Sequence, residues 1–550
     1  MTPTIGEEII SSQGSLPDRD SELLRRVSYE VIQMGVIKSR LVRTWQQNQQ
    51  LIDSYRRTQD YVEDFNRPTR FPGAFGMTRR IFSEVIQNTP EVEIESTTRS
   101  KNDLASAQAI QHSIEHAKDI TNYYRERAKV IKDMTGAPGN GILHVGYKNL
   151  GKKKNTLAFR RVDPRFFFMD HTALNLHDST DGTLGARHCF EDVVIPITTF
   201  RKQYAGVKGF RNIDLVQGVD KIVPRLGLLS MVYDSESYMN SITAGQYVQM
   251  GFWCSAEQNE FAIIANGIPI FSSTLKEEYP HGRLPYVHYK MFERNDLIWA
   301  DSIVDVSYAM FVQADLLNTM EMQNIQYSMM RPTFIAGNMS LDGEEQLIRP
   351  GAIIRVNGVN GGKVADSIYQ IQMGADDKAF YNARTMLSDE ITLATGDDSR
   401  GLFSNPDQLA TQTAYKARTL TKLMKTTVLM NEMDAVKTET ELIVETMKGC
   451  YGDADQMIVP VKGYKVKQSS RGKIRRPKFE KSPKTNDSFV LYPNILDTDY
   501  RVVVKPKTVK DDEDQQSVQN TISFLQNLMQ LMNLLPDLAQ KWIFIALSMI

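Results

Sequence analysis

One stretch restricts the fold of this chain more than any other: "WADSIVDVSYAMFVQADLLNTMEMQNIQYSMM", residues 299–330. Its periodicity is helical, yet apolar residues occupy several of its faces. Ile303, Val304, Val306, Met310, Phe311, Leu316, Leu317, Met320, Ile325 and Met329 fall on several faces, and the stretch contains no Lys or Arg. A helix apolar over most of its surface must be covered over most of its surface, inside a large core or between subunits. Its acids, Asp301, Asp305, Asp315 and Glu321, are then expected to share the one face that remains.

The rest of the 550-residue chain is too long for one ordinary domain and divides by pattern. Leu23, Leu24, Val27, Val31, Ile32 and Val36 recur at helical spacing in a run from Asp18 to about Phe65, which "NRPTRFPGAFG" (66–76) breaks. A second helical block covers about 77–134, interrupted by a short strand near "QNTPEVEIEST". From "TGAPGNG" (135–141) the character changes, and β-type runs separated by turn residues place a sheet-rich domain at about 140–295. After the apolar helix stops at Arg331–Pro332, a small β-type insert occupies 332–372. A helix at 377–395, a polar loop rich in Asp, Ser, Asn and Gly, and a helix at 407–449 come next. A lysine-rich strand region follows (456–510), then "DDEDQQSVQNTISFLQNLMQLMNLL", an acidic helix start leading into an apolar helix. The mixture predicts an α+β protein.

Candidate chemistry is sparse. "GYKNLGKK" (146–153) has the spacing of a phosphate-binding loop, but Lys153 stands where Ser or Thr would hold Mg²⁺. The flanking β-type runs make it the tip of a hairpin rather than a strand-to-helix turn. "HSIEH" puts His112 and His116 one helical turn apart around Glu115, as in an inverted zinc-protease motif, on a helix that reads as a solvated face. Asp397 and Asp398 lack the alternating acids of a calcium loop. Neither a metal nor a cofactor is expected, and nothing in the pattern supports an enzyme. Cys189, Cys254 and Cys450 are too few and too scattered for a disulfide framework and fit a reducing compartment. The first residues lack a signal-peptide pattern, and no run reaches the roughly 18 apolar residues of a membrane span. Net charge is −1, so a polyanion would have to be met locally. The one strong local field is "VKGYKVKQSSRGKIRRPKFEKSPK" (461–484), ten basic residues against Glu480 alone.

The order of these segments resembles the portal proteins of tailed bacteriophages, the short-tailed phages above all. "GNGILHVGYKN…LAFRRVDPRFFFMDHTA" (139–173), with Val162, Asp163, Pro164 and Asp170, is similar to the wing-domain stretch of that family. "YPHGRLPYVHYKMF" (279–292) is similar to the strand that leaves the wing, and the apolar helix to the first stem helix. The resemblance implies a portal fold: a helical N-terminal region of the wing at 1–139, β-rich wing 140–298, first stem helix 299–331, clip 332–375, second stem helix 376–395, channel loop 396–410, long helix and wing return strands 411–510, and crown helices 511–550.

It further implies a dodecameric ring at one capsid vertex, assembled in the bacterial cytoplasm, with double-stranded DNA passing through it in packaging and ejection. The partners implied are the terminase large subunit, the tail adaptor, and the major capsid and scaffolding proteins; no membrane is involved. In the channel loop, Arg400, Ser404, Asn405 and Gln408 would face DNA, and the acidic stem helix would keep the duplex off the wall by like charge. The basic residues Arg471, Lys473, Arg475, Arg476 and Lys478 would face DNA or capsid. Two alternatives compete: a metal-dependent nucleic-acid-processing enzyme using Asp397, Asp398 and the basic stretch, and another non-enzymatic virion structural protein.

Overall fold

A computed structural model describes residues 18–53, 73–87, 89–97, 101–147, 157–178, 184–207, 209–218, 247–329, 333–336, 353–356, 368–370, 377–395, 430–448, 457–468, 477–491 and 500–505. The fold is α+β. Helix α1 (Asp18–Ile52) buries one stripe, Leu23, Leu24, Val27, Val31, Met34, Val42 and Trp45, at the three-and-four spacing that made it legible. The predicted second block resolves into α2 (Gly73–Gln87), strand β1 (Glu91–Ser96), α3 (Lys101–Ile120) and α4 (Tyr123–Thr135).

The β-rich region forms two antiparallel sheets. In the first, β2 (Asn140–Tyr147) lies between β3 (Leu157–Val162) and β9 (Tyr286–Lys290). Tyr147 pairs with Leu157, so the GYKNLGKK motif opens from a hairpin, as its flanks require; residues 148–156 themselves lie outside the described ones. The second sheet runs in sequence order: β4 (Phe167–Met169), β5 (His188–Pro196), β6 (Tyr247–Ser255), β7 (Glu260–Ala265) and β8 (Ile268–Thr274). A short helix α5 (Ile197–Tyr204) leaves β5. Between the sheets, Arg160 and the Tyr286 hydroxyl both donate to the buried Glu191 carboxylate. The core is aromatic, with Phe167 4.6 Å from Tyr286 and Phe190, Phe261, Trp253 and Tyr279 fully enclosed.

The residues that carry the family resemblance have local structural reasons. Asp163 accepts from the Arg165 amide at 3.0 Å and starts a short turn at Pro164. Asp170 accepts from Thr172 and Arg187; burial alone would raise its pKa, but those bonds hold it far below the ordinary carboxylate range.

Helix α6 (Ile303–Met329) follows, then strands β10 (Thr333–Ala336), β11 (Ile353–Val356) and β12 (Ile368–Gln370), which form a small mixed sheet, β10 between the other two. Helix α7 (Asp377–Thr395) returns along α6. Its bounds are those the sequence predicts. Of the helix expected at 407–449, the described portion is α8, residues 430–448. It enters the body with Ala435, Val436, Leu442, Ile443, Val444 and Met447 buried, and buries two of its acids with them. Glu439, fully buried, accepts from the Tyr123 hydroxyl at 2.6 Å, from Tyr289, and from Lys118 at 3.1 Å; Glu432 pairs with Arg127.

The lysine-rich region is an antiparallel ribbon, β13 (Met457–Gln468) with β14 (Pro477–Leu491), lying beside α3. Finally β15 (Tyr500–Lys505) pairs with β1, joining residues some 400 positions apart. Among the described residues no helix is long and apolar enough to cross a membrane.

Candidate functional site

The feature that stands apart from this packed body is the α6–α7 helix pair, and it is anchored at a polar joint. The joint begins with Gly139-Asn140-Gly141. Gly139 has φ +67°, and a Cβ there would lie 2.5 Å from the Ser302 nitrogen. A Cβ on Gly141 would lie 2.4 Å from the Val130 carbonyl oxygen. Both glycines therefore let backbones touch where any side chain would separate them. Asn140, between them, donates to the Ala300 carbonyl at 2.8 Å and accepts from the Ala300 amide at 2.9 Å. The strand that opens the β-rich region is thus clamped to the residue that opens the helix pair.

Helix α6 is capped by reciprocal bonds. Ser302 Oγ accepts from the Asp305 amide at 3.0 Å, while Asp305 Oδ2 accepts from the Ser302 amide at 2.7 Å. Asn48 of α1 donates to the other Asp305 oxygen at 2.6 Å. Trp45 meets Trp299 edge to face at 5.3 Å between centroids. Lys38, fully buried, donates to the Phe167 carbonyl and sits 4.0 Å over the Phe168 ring and 5.0 Å from that of Trp299. Burial pushes its ammonium well below the ordinary lysine value.

Beyond the joint the cover runs out. Ile303, Val304, Phe311 and Ala314 are buried, but from Asp315 onward no described side chain of α6 is. Val306, Val312, Leu316, Met320, Met322, Ile325 and Met329 are exposed, Leu316 at 54% and Met329 at 80%. At the α-helical angle, Val312, Leu316 and Met320 follow one line and Met322, Ile325 and Met329 another, well round the cylinder. Helix α7 adds exposed Tyr381 and Met386. The sequence asked for cover inside a core or between subunits; the chain's own core supplies it only as far as Ala314.

The acids of α6 do not share a face. Asp301 precedes the helix and pairs with Arg294 at 3.3 Å. Asp305 is committed to the cap and to Asn48, a role that the Ser-x-x-Asp spacing at 302–305 signals and that reading the acids as one wall passes over. Asp315 is half-buried, and Glu321 pairs with Arg384 of α7, which also donates to Asn318 at 2.5 Å. The cation that the helix lacks is supplied by its neighbour. Arg400, Ser404, Asn405 and Gln408 lie outside the described residues, as do Asp397, Asp398, Arg471, Lys473, Arg475 and Arg476; Lys478 lies in β14. On α3, His112 pairs with Glu115 at 3.4 Å, and that bond lowers the Glu115 pKa. Among the described residues no cluster of His, Cys, Asp or Glu could hold a metal ion. Cys189 and Cys254 face each other across β5 and β6 as free, buried thiols.

No protein-family model matches this chain, and no curated protein matches it. Function is therefore read from the geometry of the helix pair and from the order of the segments.

Proposed function

We propose that the chain is the subunit of a virion portal: a closed homo-oligomeric ring at one capsid vertex of a tailed phage, through which double-stranded DNA is packaged, retained and ejected. The single observation that carries this reading is the α6–α7 pair. It leaves the body from a clamped joint, ends in a three-stranded sheet, and exposes large apolar residues on two sides of one helix. A helix with two uncovered sides suits a ring, where each copy meets one neighbour on each side through different surfaces and rotation closes the set. A two-fold dimer would cover one.

In this reading α6 and α7 form the stem, the small sheet is the clip that docks terminase and then the tail adaptor, and the two β-rich sheets with α1–α4 form the wing. The loop at 396–410, carrying Arg400, Ser404, Asn405 and Gln408, enters the channel. Its three aspartates (397, 398 and 407) against one arginine keep phosphate contacts weak, so that DNA slides.

Electron microscopy of the purified chain, scored for rotational symmetry and a central hole, tests the proposal. Rings with a hole wide enough for a duplex, roughly 20 Å across, are expected. Leu316→Asp and Ile325→Asp, on the two uncovered sides, are each expected to abolish rings while leaving a folded subunit. Compact monomers or dimers of the wild-type chain over a range of salt and protein concentration would overturn it.

A further inference from the structure

The outward face of α1 is apolar in its middle. The periodicity of the sequence groups Ile32 and Val36 with the buried stripe of this helix, but both are exposed, and Tyr29 beside them is 61% exposed. Successive residues of a helix are turned by about 100°, so Tyr29, Ile32, Val36, Arg40 and Arg43 fall within about 80° of one another, opposite the buried stripe. Arg40 and Arg43 close this run with two exposed cations one turn apart. At its other end Arg25 follows Glu22 by one turn, which offsets the charge there. The net positive end is that of Arg40 and Arg43.

A complementary surface lies where α3 ends and α4 begins. Glu115 and Asp119 are exposed acids one turn apart, and Ile120 and Tyr124 follow them at 57% and 62% exposure. The Tyr124 hydroxyl donates to Asp119. Lys118 turns away from this surface to the buried Glu439, and Arg125 lies about 100° round α4 from Tyr124. Laid antiparallel, the two runs match in order: two cations then three apolar side chains on α1, two anions then two apolar side chains at the corner. Helix α1 packs on the second sheet and on α6, whereas α3 packs on β1 and α4 on the first sheet, so one copy presents the two surfaces at different places.

We propose that this face of α1 docks antiparallel against the α3–α4 corner of a second copy of the chain. Arg40 and Arg43 meet Glu115 and Asp119 of that copy, and Tyr29, Ile32 and Val36 meet its Ile120 and Tyr124. The aromatic and aliphatic residues supply most of the affinity, and the charges fix direction and register. A two-fold contact of α1 on itself is disfavoured, since it would set Arg40 against Arg25. The contact rests on the ring reading and adds to it a second zone, on the body, because a surface that fits a different surface of the next copy propagates round a ring.

The test is charge reversal in the full-length chain, read by sedimentation velocity and by ring counts in electron micrographs across a protein dilution series. Arg40→Glu with Arg43→Glu, and separately Glu115→Lys with Asp119→Lys, are each expected to raise the concentration at which rings half-form at least tenfold. Mixing these two variants in equal amounts is expected to restore rings, because alternating copies then present opposite charge at every contact. Ile32→Ser, which leaves every charge in place, is expected to raise the threshold several-fold. Arg201→Glu with Lys202→Glu makes the same change of charge on α5 and is expected to leave the threshold unchanged. Wild-type rings together with a mixture that does not recover overturn the proposal and leave the portal reading standing. An α5 variant that matches Arg40→Glu with Arg43→Glu also overturns it, since the effect is then only net charge. Absence of rings in the wild type overturns the portal reading, and this contact with it.

Discussion

Both ends of α6 carry large apolar residues, and those residues have opposite fates. At its start, Ile303, Val304, Phe311 and Ala314 are enclosed by their own chain, and the helix is capped, clamped and flanked by two tryptophans. At its end, Leu316, Met320, Ile325 and Met329 are left uncovered, with one helix and one ion pair beside them. The difference teaches that composition along a helix states how much cover is needed but not who supplies it. The same residue types serve folding at one end and, in the proposed ring, assembly at the other.

The sharpest way to break this comparison is to truncate one residue at each end. Phe311→Ala removes a ring that is 3% exposed, and should cost roughly 3–5 kcal/mol by leaving a cavity in a packed core. Leu316→Asp should change the unfolding free energy by no more than about 0.5 kcal/mol, since it loses no contact with the core. Urea midpoints measured at concentrations too low for association, alongside ring counts, separate the two. Equal destabilisation at both positions would mean that the far end is covered within one chain.

The joint gives the next effect. Gly139→Ala places a methyl against the Ser302 backbone at a φ of +67°, and a cost of about 2–4 kcal/mol is expected from strain and overpacking together. Gly76 has no atom within 4 Å of an added Cβ, and Gly76→Ala should cost nothing. If both variants melt together, the Gly139 clamp does not fix the base of the helix pair.

How much of this the sequence disclosed divides along the same line. Local periodicity announced α1, α6 and α7, and turn residues announced the hairpins of the β-rich region, because those signals lie within one element. The joint was not announced. Asn48 and Asp305 are 257 positions apart, Asn140 and Ala300 160 apart, and nothing in "QQNQQ" marks the one amide that is buried against a helix cap. Lys38 is the clearest failure. A lysine on an otherwise apolar stripe reads as the edge of that stripe, and its enclosure by Phe168 and Trp299 follows only from tertiary packing. Asp305, in contrast, was legible as a cap from its own spacing to Ser302.

The body and the projecting end should also differ in their response to pH. Burial pushes the Glu432 carboxyl up to about 7, outweighing the attraction of Arg127. Its folded value then lies above its unfolded one, so its contribution to stability is full below 4.5 and is lost as pH rises through about 7. Asp133, pushed up to about 6, acts in the same direction; Asp170, held low, acts in the opposite direction and only in acid. Glu432→Gln should therefore flatten the decline between pH 4.5 and 7 by roughly 2 kcal/mol. An unchanged profile would show that Glu432 stays ionised against Arg127.

The smallest expected effect tests what holds the projecting end in the absence of neighbours. Arg384 bridges α7 to Glu321 and Asn318 of α6, and both partners of the ion pair are about one-third exposed. Pairs at that exposure contribute at most about 1 kcal/mol, screened by salt. Arg384→Met keeps most of the apolar stem and removes the charge, so the isolated subunit should lose no more than about 0.5 kcal/mol at moderate salt. Glu321 then has no cation on its own helix to turn to, since α6 contains none. In a ring of such copies each unpaired Glu321 adds negative charge beside the interface, and ring formation should need more salt than in the wild type. Ring counts across a salt series measure this directly. A variant that forms rings at the wild-type salt threshold would place Glu321 away from neighbouring copies.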